Sequence, residues 1–351
     1  MGQDSTPITI EVLTPIWERV LQRPSIRVED SFFELGGTPS LAAQICSEIA
    51  LISGRELSPE TIFQAPTIDS LAALLRGSVA PKVPLLVKLK HGEKQPPIFV
   101  RHGVGGSFME IFQFARAIES QHAIFGMESP VFEEYAEGSV SVEGLARLYL
   151  DAMKQLQPRG PYVLIGYSFG GLVMMEIAQR LQESGERVAL LAMVDSYPYR
   201  RFLPVKMRLG VYARLARHHA ANLGKLPTRK KIAYLTSRSV RRFYASQQES
   251  ATVSHAPGKG LVGAPALESE FRELVALKNY QPRFYRGKIN FVKAATDISA
   301  FPPDARGVWE KLAEEFEIDT VPGDHFGLVT THYRELASVV SRQLASALSG
   351  G

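Results

Sequence analysis

Helical spacing of apolar residues dominates the first part of the chain. Apolar side chains recur every three or four positions over 10–21 and again over 39–54, as they do on the buried face of a helix. Shorter stretches at 58–63 and 67–75 each begin at a serine or threonine that can cap a helix. No strand-like alternation interrupts them. The pattern predicts a small four-helix domain over residues 7–77.

A different pattern begins after a short linker. Residues 78–83 show no apolar periodicity, and Pro81 and Pro84 lie within or next to this stretch. Over residues 84–349, short apolar runs alternate with helical stretches. Runs typical of buried parallel strands include 97–100, 162–165, 188–194 and 289–292. Alternating strands and helices predict an α/β sheet for this second domain.

A serine between two glycines follows one of these predicted strands. The motif is Gly166-Tyr-Ser168-Phe-Gly170, and a predicted helix over 172–184 comes after it. Glycines two positions before and after a serine leave room for the sharp strand-to-helix turn that exposes a nucleophile. The adjoining helix N-terminus favours negative charge that develops there. We therefore predict that Ser168 is a nucleophile; the alternative is a tight glycine turn with a chance serine.

A serine nucleophile needs a histidine and an acid that orients it. His325 follows the last strand-like run and precedes a predicted helix over 333–348, where hydrolases with this turn place their base. Asp195 and Asp297 both follow apolar runs and lie between the serine and the histidine. Most hydrolases of this order use the later acid, which favours Asp297, so the residues alone leave both open.

Backbone N–H groups are expected to stabilise the negative oxygen of the reaction intermediate. One donor should be the N–H of Phe169, the residue after the nucleophile. The other should come from the glycine-rich loop 102–106 after the first predicted strand of the sheet. We assign this second donor to the N–H of Val104.

Composition narrows the possible partners. The net charge of +4 comes from one segment, 197–250, which holds thirteen Lys and Arg and one acid; the rest has 27 basic and 35 acidic residues. The overall basicity therefore does not indicate nucleic-acid binding. One cysteine, Cys46, excludes an internal disulfide and a thiolate metal cluster, and no metal site is predicted. Without a long apolar run or a secretory start, we expect a cytoplasmic protein without stable membrane association.

Several of these motifs resemble the type I thioesterase domain of nonribosomal peptide synthetases. The similar stretches are Phe99-x-x-His-Gly-Val-Gly-Gly, the run 157–171 that contains Ser168, the strand end at Asp195, Tyr280-x-Pro-x-x-Tyr-x-Gly, and Gly323-Asp-His-Phe. The resemblance covers most of 84–347. It implies an α/β-hydrolase fold with a helical lid over about 197–279. In that family the acid follows the earlier strand, which implies a triad of Ser168, Asp195 and His325.

The first domain resembles a peptidyl carrier protein through Asp30-Ser-Phe-Phe-Glu-Leu-Gly-Gly. The resemblance implies 4′-phosphopantetheine attached covalently to Ser40. The usual spacing is Gly-Gly-x-Ser, whereas two residues, Thr38 and Pro39, intervene here. Thr38 can cap the helix and Pro39 suits its first position, which leaves Ser40 in the first turn, where the helix dipole favours a phosphodiester. The alternative is a carrier domain that is no longer modified.

The two resemblances together imply release of a carrier-bound acyl or peptidyl thioester through an acyl-serine intermediate. The product forms by hydrolysis or by macrocyclisation, and the partners are upstream synthetase modules, a phosphopantetheinyl transferase and the tethered chain. A polyketide or fatty acyl carrier–thioesterase pair is one alternative. Others are a stand-alone serine esterase with a non-carrier helical domain and a scaffold with an inactive hydrolase. The basic lid segment is interpreted as a solvated face, a carrier-docking surface or a contact for an anionic surface or product.

Overall fold

A computed structural model describes residues 8–54, 57, 61–62, 65–77, 84–106, 108–130, 141–224 and 264–349. The chain divides into two compact units, Met1–His91 and Gly92–Gly351. The predicted linker 78–83 lies outside the described residues. The domain boundaries 7–77 and 84–349 therefore remain predictions.

The first unit is helical, as the apolar spacing predicts. Its described helices are α1 (Ile10–Leu21), α2 (Pro39–Ser53) and α3 (Ile68–Leu75). The predicted stretch 58–63 falls mostly outside the described residues. The helices pack around a core in which the Trp17 and Phe32 rings meet edge to face at 5.5 Å. An edge-to-face aromatic pair adds attraction beyond the burial of its area.

The second unit contains a parallel sheet. Strand β1 (Leu86–Lys90) belongs to the end of the first unit. The strands of the second unit are β2 (Lys94–Arg101), β3 (His122–Met127), β4 (Tyr162–Tyr167), β5 (Val188–Val194), β6 (Tyr285–Ala294) and β7 (Ala313–Val321). Within this unit the strands of the sheet lie in the order β3-β2-β4-β5-β6-β7, and these neighbours are parallel. Every residue of β4 is buried, which explains its unbroken apolar run. The predicted α/β-hydrolase class is confirmed.

Helices follow most strands of this unit. They are α4 (Phe112–Ala117), α5 (Val142–Leu156), α6 (Phe169–Glu183), α7 (Val205–Gly224), α8 (Ala264–Asn279), α9 (Ala305–Trp309), α10 (Gly327–Thr330) and α11 (Tyr333–Ser349). Helix α6 starts at Phe169, three residues before the predicted start, because the glycines after Ser168 continue the helix. Since parallel strands end at one edge of the sheet, the segments that follow β2, β4, β5 and β7 meet there.

Helices α7 and α8 belong to the segment that the sequence assigns to a lid, 197–279. Residues 225–263 of that segment lie outside the described residues. Helix α7 exposes Val205, Leu209 and Tyr212 to solvent. No helix in the described part of the chain combines the length and the apolar character needed to cross a bilayer.

Candidate active site

Ser168 occupies the sharp turn between β4 and α6. Its φ of 55° and ψ of −121° are unusual for a residue other than glycine. The flanking glycines make the turn possible, because a Cβ on Gly166 would lie 2.4 Å from the Gly170 carbonyl oxygen. A Cβ on Gly170 would lie 2.4 Å from the Arg101 carbonyl oxygen. The motif therefore holds a strained serine at a helix N-terminus, as a nucleophile requires.

A chain of hydrogen bonds joins Ser168, His325 and Asp195. The His325 Nε2 atom lies 3.0 Å from Ser168 Oγ, and its Nδ1 atom lies 2.8 Å from Asp195 Oδ2. The other carboxylate oxygen of Asp195 accepts the Ala294 N–H at 3.3 Å, and both Asp195 and His325 are buried. Asp297 is instead exposed and pairs with Lys293 at 2.7 Å. Of the two candidate acids, the structure thus places only Asp195 against the histidine.

Aromatic side chains fix the His325 ring. The Tyr167 ring stacks on it with centroids 4.9 Å apart, and the Phe301 and Phe326 rings meet it edge-on. The Tyr167 hydroxyl donates a hydrogen bond to the His325 carbonyl oxygen at 2.9 Å. Burial raises the pKa of Tyr167 well above its usual value, so this donor stays neutral at physiological pH. No sequence signal points to Tyr167 beyond its place in the serine motif.

The predicted oxyanion donors border the same cavity as the serine. Val104 and Phe169 line it together with Ser168 and His325. Phe169 is the first residue of α6, so its N–H has no acceptor within the helix. Gly105, next to Val104, has a φ of +63°, which most side chains disfavour.

Two carboxylates that the sequence did not single out hold the loop that carries the predicted donor Val104 (residues 102–106, called the oxyanion loop below). Glu110 accepts the Gly103 N–H at 3.1 Å, and Glu273 accepts the Gly105 N–H at 2.8 Å. Desolvation raises the pKa of Glu110 above its usual value. Glu273 also forms an ion pair with Arg101, and neither side chain is exposed to solvent. No local pattern could reveal this pair, because 172 residues separate its members.

A third carboxylate, Glu128, lies beside this network. Its oxygens accept the Ser129 N–H at 3.1 Å and the Phe108 N–H at 3.3 Å. Burial raises the pKa of Glu128 to about 7, although these hydrogen bonds and Arg101 oppose the shift. The folded protein therefore keeps a proton on Glu128 between pH 4.5 and 7 that the unfolded chain releases.

A Glu128→Gln variant should consequently change how stability depends on pH. The wild type loses free energy of unfolding as pH rises from 4.5 to 7, and glutamine cannot ionise. The free energy of unfolding of the variant minus that of the wild type should therefore rise by about 3 kcal/mol over this range and level off above it. Urea denaturation at a series of pH values measures it. A difference that stays constant from pH 4.5 to 8 would contradict the raised pKa.

The cavity next to Ser168 is small and mostly apolar. It encloses about 60 Å³ of space that water can enter. Its apolar walls come from the segment after β5, from α8 and from the loops after β6 and β7, namely Leu203, Leu274, Leu277, Ile298, Ala300, Phe301 and Phe326. Arg200 also lines it and donates a hydrogen bond to the Tyr199 hydroxyl at 3.2 Å. The cavity thus suits an apolar group beside the reacting carbonyl.

Ser40 has the surroundings that a phosphopantetheine attachment needs. Thr38 caps helix α2, since its hydroxyl accepts the Leu41 N–H at 3.3 Å, and Pro39 is the first helical residue. Ser40 follows in the first turn and is exposed. Gly37 closes the preceding turn against Phe32; a Cβ on Gly37 would lie 2.4 Å from that ring. The helix cap formed by Thr38 and Pro39 therefore accommodates the extra residue before Ser40. The residues present fit a phosphopantetheine group on Ser40.

Comparisons with known proteins find a family match for each of the two predicted domains. A thioesterase domain model matches residues 96–344, and a phosphopantetheine attachment site model matches residues 11–75. A dimodular nonribosomal peptide synthase of Bacillus subtilis (strain 168) is 29% identical over 321 residues, 88% of this chain. The chain spans only 13% of the length of that relative.

Solved structures show the same fold. A four-domain nonribosomal peptide synthetase, AB3403, matches 99% of this chain and 27% of its own length, with a TM-score of 0.55 and 23% identity. The NocB thioesterase domain matches 72% of this chain and 95% of its own length, with a TM-score of 0.52 and 21% identity. Because the thioesterase model covers most of the chain, this protein belongs to the thioesterase domain family, with a phosphopantetheine attachment domain preceding the thioesterase domain.

Proposed function

We propose that this protein releases an acyl or peptidyl chain from its own carrier domain, in nonribosomal peptide biosynthesis, through an ester on Ser168. The observation that carries the proposal is the hydrogen-bonded chain Ser168–His325–Asp195 in a polypeptide that also holds a phosphopantetheine attachment domain. A serine, histidine and aspartate so connected form the apparatus of acyl transfer.

The first half of the reaction transfers the acyl group to the enzyme. His325 Nε2 takes the proton of Ser168 Oγ as this oxygen attacks the thioester carbonyl carbon. The N–H groups of Val104 and Phe169 stabilise the negative oxygen of the tetrahedral intermediate. The carbon–sulfur bond then breaks, His325 returns the proton to the leaving sulfur, and an acyl-serine ester remains. Asp195 holds the ring orientation and stabilises the imidazolium.

The second half frees the product. His325 takes a proton from water, whose oxygen attacks the ester and gives a carboxylic acid. A hydroxyl or amine within the chain can attack instead, and the product is then a ring. In both cases the proton passes through His325 to Ser168 Oγ as the ester bond breaks. The mostly apolar walls of the cavity favour acyl groups that are apolar next to the reacting carbonyl.

The carrier domain would supply the substrate. The phosphopantetheine group, attached to Ser40 by a transferase, provides the thiol that holds the acyl chain as a thioester at the end of a flexible arm. Ser40 suits modification because it is an exposed residue in the first turn of α2. Tethering replaces tight intrinsic affinity by a high effective concentration. Upstream synthetase modules are the proposed source of the chain.

Intact-mass spectrometry tests the proposal. The protein is incubated with a promiscuous phosphopantetheinyl transferase and an acyl-coenzyme A. The wild type should gain the acyl-phosphopantetheine mass and then lose the acyl part, whereas Ser40→Ala should gain nothing. Ser47→Ala, which changes another exposed serine of α2, is the control and should load normally.

The alternatives predict other outcomes. A stand-alone esterase would gain no mass, yet a fluorophosphonate probe would still label Ser168. An inactive hydrolase would load at Ser40, keep its acyl group and resist the probe. Each of these results would overturn one half of the proposal.

A further inference from the structure

Glu273 connects helix α8 to the oxyanion loop. One of its oxygens, Oε1, pairs with Arg101 and accepts the Ser129 hydroxyl at 2.8 Å. The other, Oε2, accepts the Gly105 N–H at 2.8 Å. The side chain is fully buried, so both oxygens depend on these partners rather than on water.

The loop and the helix are also in close steric contact. A Cβ on Gly105 would lie 2.5 Å from Glu270 Cγ, one turn earlier on α8. On the other side of Val104, Glu110 holds the Gly103 N–H. The residue proposed as an oxyanion donor is therefore clamped between two anchored peptide groups, and one anchor belongs to a different part of the chain.

Helix α8 serves the substrate cavity as well. Leu274 and Leu277 line the space beside Ser168, and Leu274 directly follows Glu273 in the chain. One helix thus forms part of the cavity wall and holds the loop that should stabilise the intermediate. A shift of α8 would move both together.

A purely structural ion pair would explain the burial of Arg101 and Glu273. It would not explain why Glu273 Oε2 accepts the Gly105 N–H. Arg101 and Ser129 both bind Oε1, whereas Oε2 is directed to the backbone next to Val104. Oxyanion donors must lie within tenths of an ångström of their ideal position, so such an anchor affects the rate more than the affinity for substrate.

On the basis of the function proposed above, we infer that Glu273 is a positioning residue for the oxyanion loop. Helix α8 must therefore lie in its observed position against the oxyanion loop for the loop to stabilise the tetrahedral intermediate. Among the described residues Glu273 has no hydrogen bond to Ser168 or His325, and it acts through Gly105 on Val104.

Glu273→Gln tests the inference, because it keeps the shape of the side chain and removes its charge. With an acyl-N-acetylcysteamine thioester, we expect kcat per active site to fall roughly 10- to 100-fold with KM within about twofold, somewhat less than the loss of a whole oxyanion donor. The inhibition constant of a boronic acid, which forms a tetrahedral adduct on serine, should rise in parallel. Active sites are counted by fluorophosphonate labelling.

Glu176→Gln is the matched control. Glu176 is also buried, pairs with Arg180 and accepts the Tyr280 hydroxyl at 3.2 Å, but it lies on α6 and has no hydrogen bond to the oxyanion loop among the described residues. It should lose stability without losing kcat per active site. Gly105→Ala provides a second variant, because it disturbs the loop against α8 while leaving the Arg101–Glu273 pair in place.

The results separate the two proposals. If Glu273→Gln and Gly105→Ala both keep wild-type kcat and boronate affinity, the positioning role is wrong. If Glu273→Gln does not fold, wild-type kcat and boronate affinity in Gly105→Ala would overturn the positioning role, and a loss of both with little change in KM would support the coupling between the loop and α8. If the wild type itself does not turn over acyl thioesters, the proposed function fails first.

Discussion

Replacing Ser168 by alanine is expected to abolish release of the acyl chain, with a fall in rate of roughly 10⁶-fold, as when a triad nucleophile is removed. No other hydroxyl is placed in hydrogen-bond contact with His325 Nε2 among the described residues. The acyl group loaded on the carrier domain should therefore persist. Single-turnover intact-mass spectrometry follows its loss over time and compares it with the wild type.

Ser196→Ala is the matched control for this experiment. Ser196 is buried near the site, and its hydroxyl donates to the Val194 carbonyl oxygen at 3.1 Å, without a contact to His325. Its removal should change the rate by no more than a few-fold, since the lost hydrogen bond is worth about 1 kcal/mol. Equal rates in the two variants would show that Ser168 is not the nucleophile.

The second large predicted effect distinguishes between Asp195 and Asp297, because the sequence leaves open which of the two orients the histidine. Asp195→Asn should lower kcat about 10⁴-fold, because an amide facing His325 Nδ1 favours the wrong tautomer of the ring. Asp297→Asn should stay close to the wild type, since it removes only a partly exposed pair with Lys293. Steady-state hydrolysis of an acyl thioester measures both. The reverse ranking would move the acid to the later strand.

The elements that can be predicted from sequence are those with a local signal. Helix α1 spans the same residues as its apolar periodicity, and β5 spans the same residues as its apolar run. Strand β7 has no apolar run of its own, because its exposed positions carry acids and it lies at the edge of the sheet, where only one neighbouring strand constrains it. Strand β3 likewise has only a short buried run, its last four residues.

The residues of the candidate site also divide into those with a local sequence signal and those without one. The serine turn could be predicted because its requirements, two glycines, a strand and a helix, lie within about twenty consecutive residues. His325 could be predicted from its position after the last strand-like run. The sequence cannot predict which of Asp195 and Asp297 faces His325. The answer depends on which loop reaches the histidine once β5 and β6 are neighbours in the sheet.

By itself, the sequence determined the division into a helical and an α/β domain, the serine turn and the attachment motif before α2. Each of these depends on neighbours along the chain, through helical period, strand burial or backbone strain. The tertiary structure alone decided that Asp195 faces His325 and that Glu273 of α8 holds the oxyanion loop through Gly105. Such contacts join residues more than a hundred positions apart, and only the packing of the sheet and its helices brings them together.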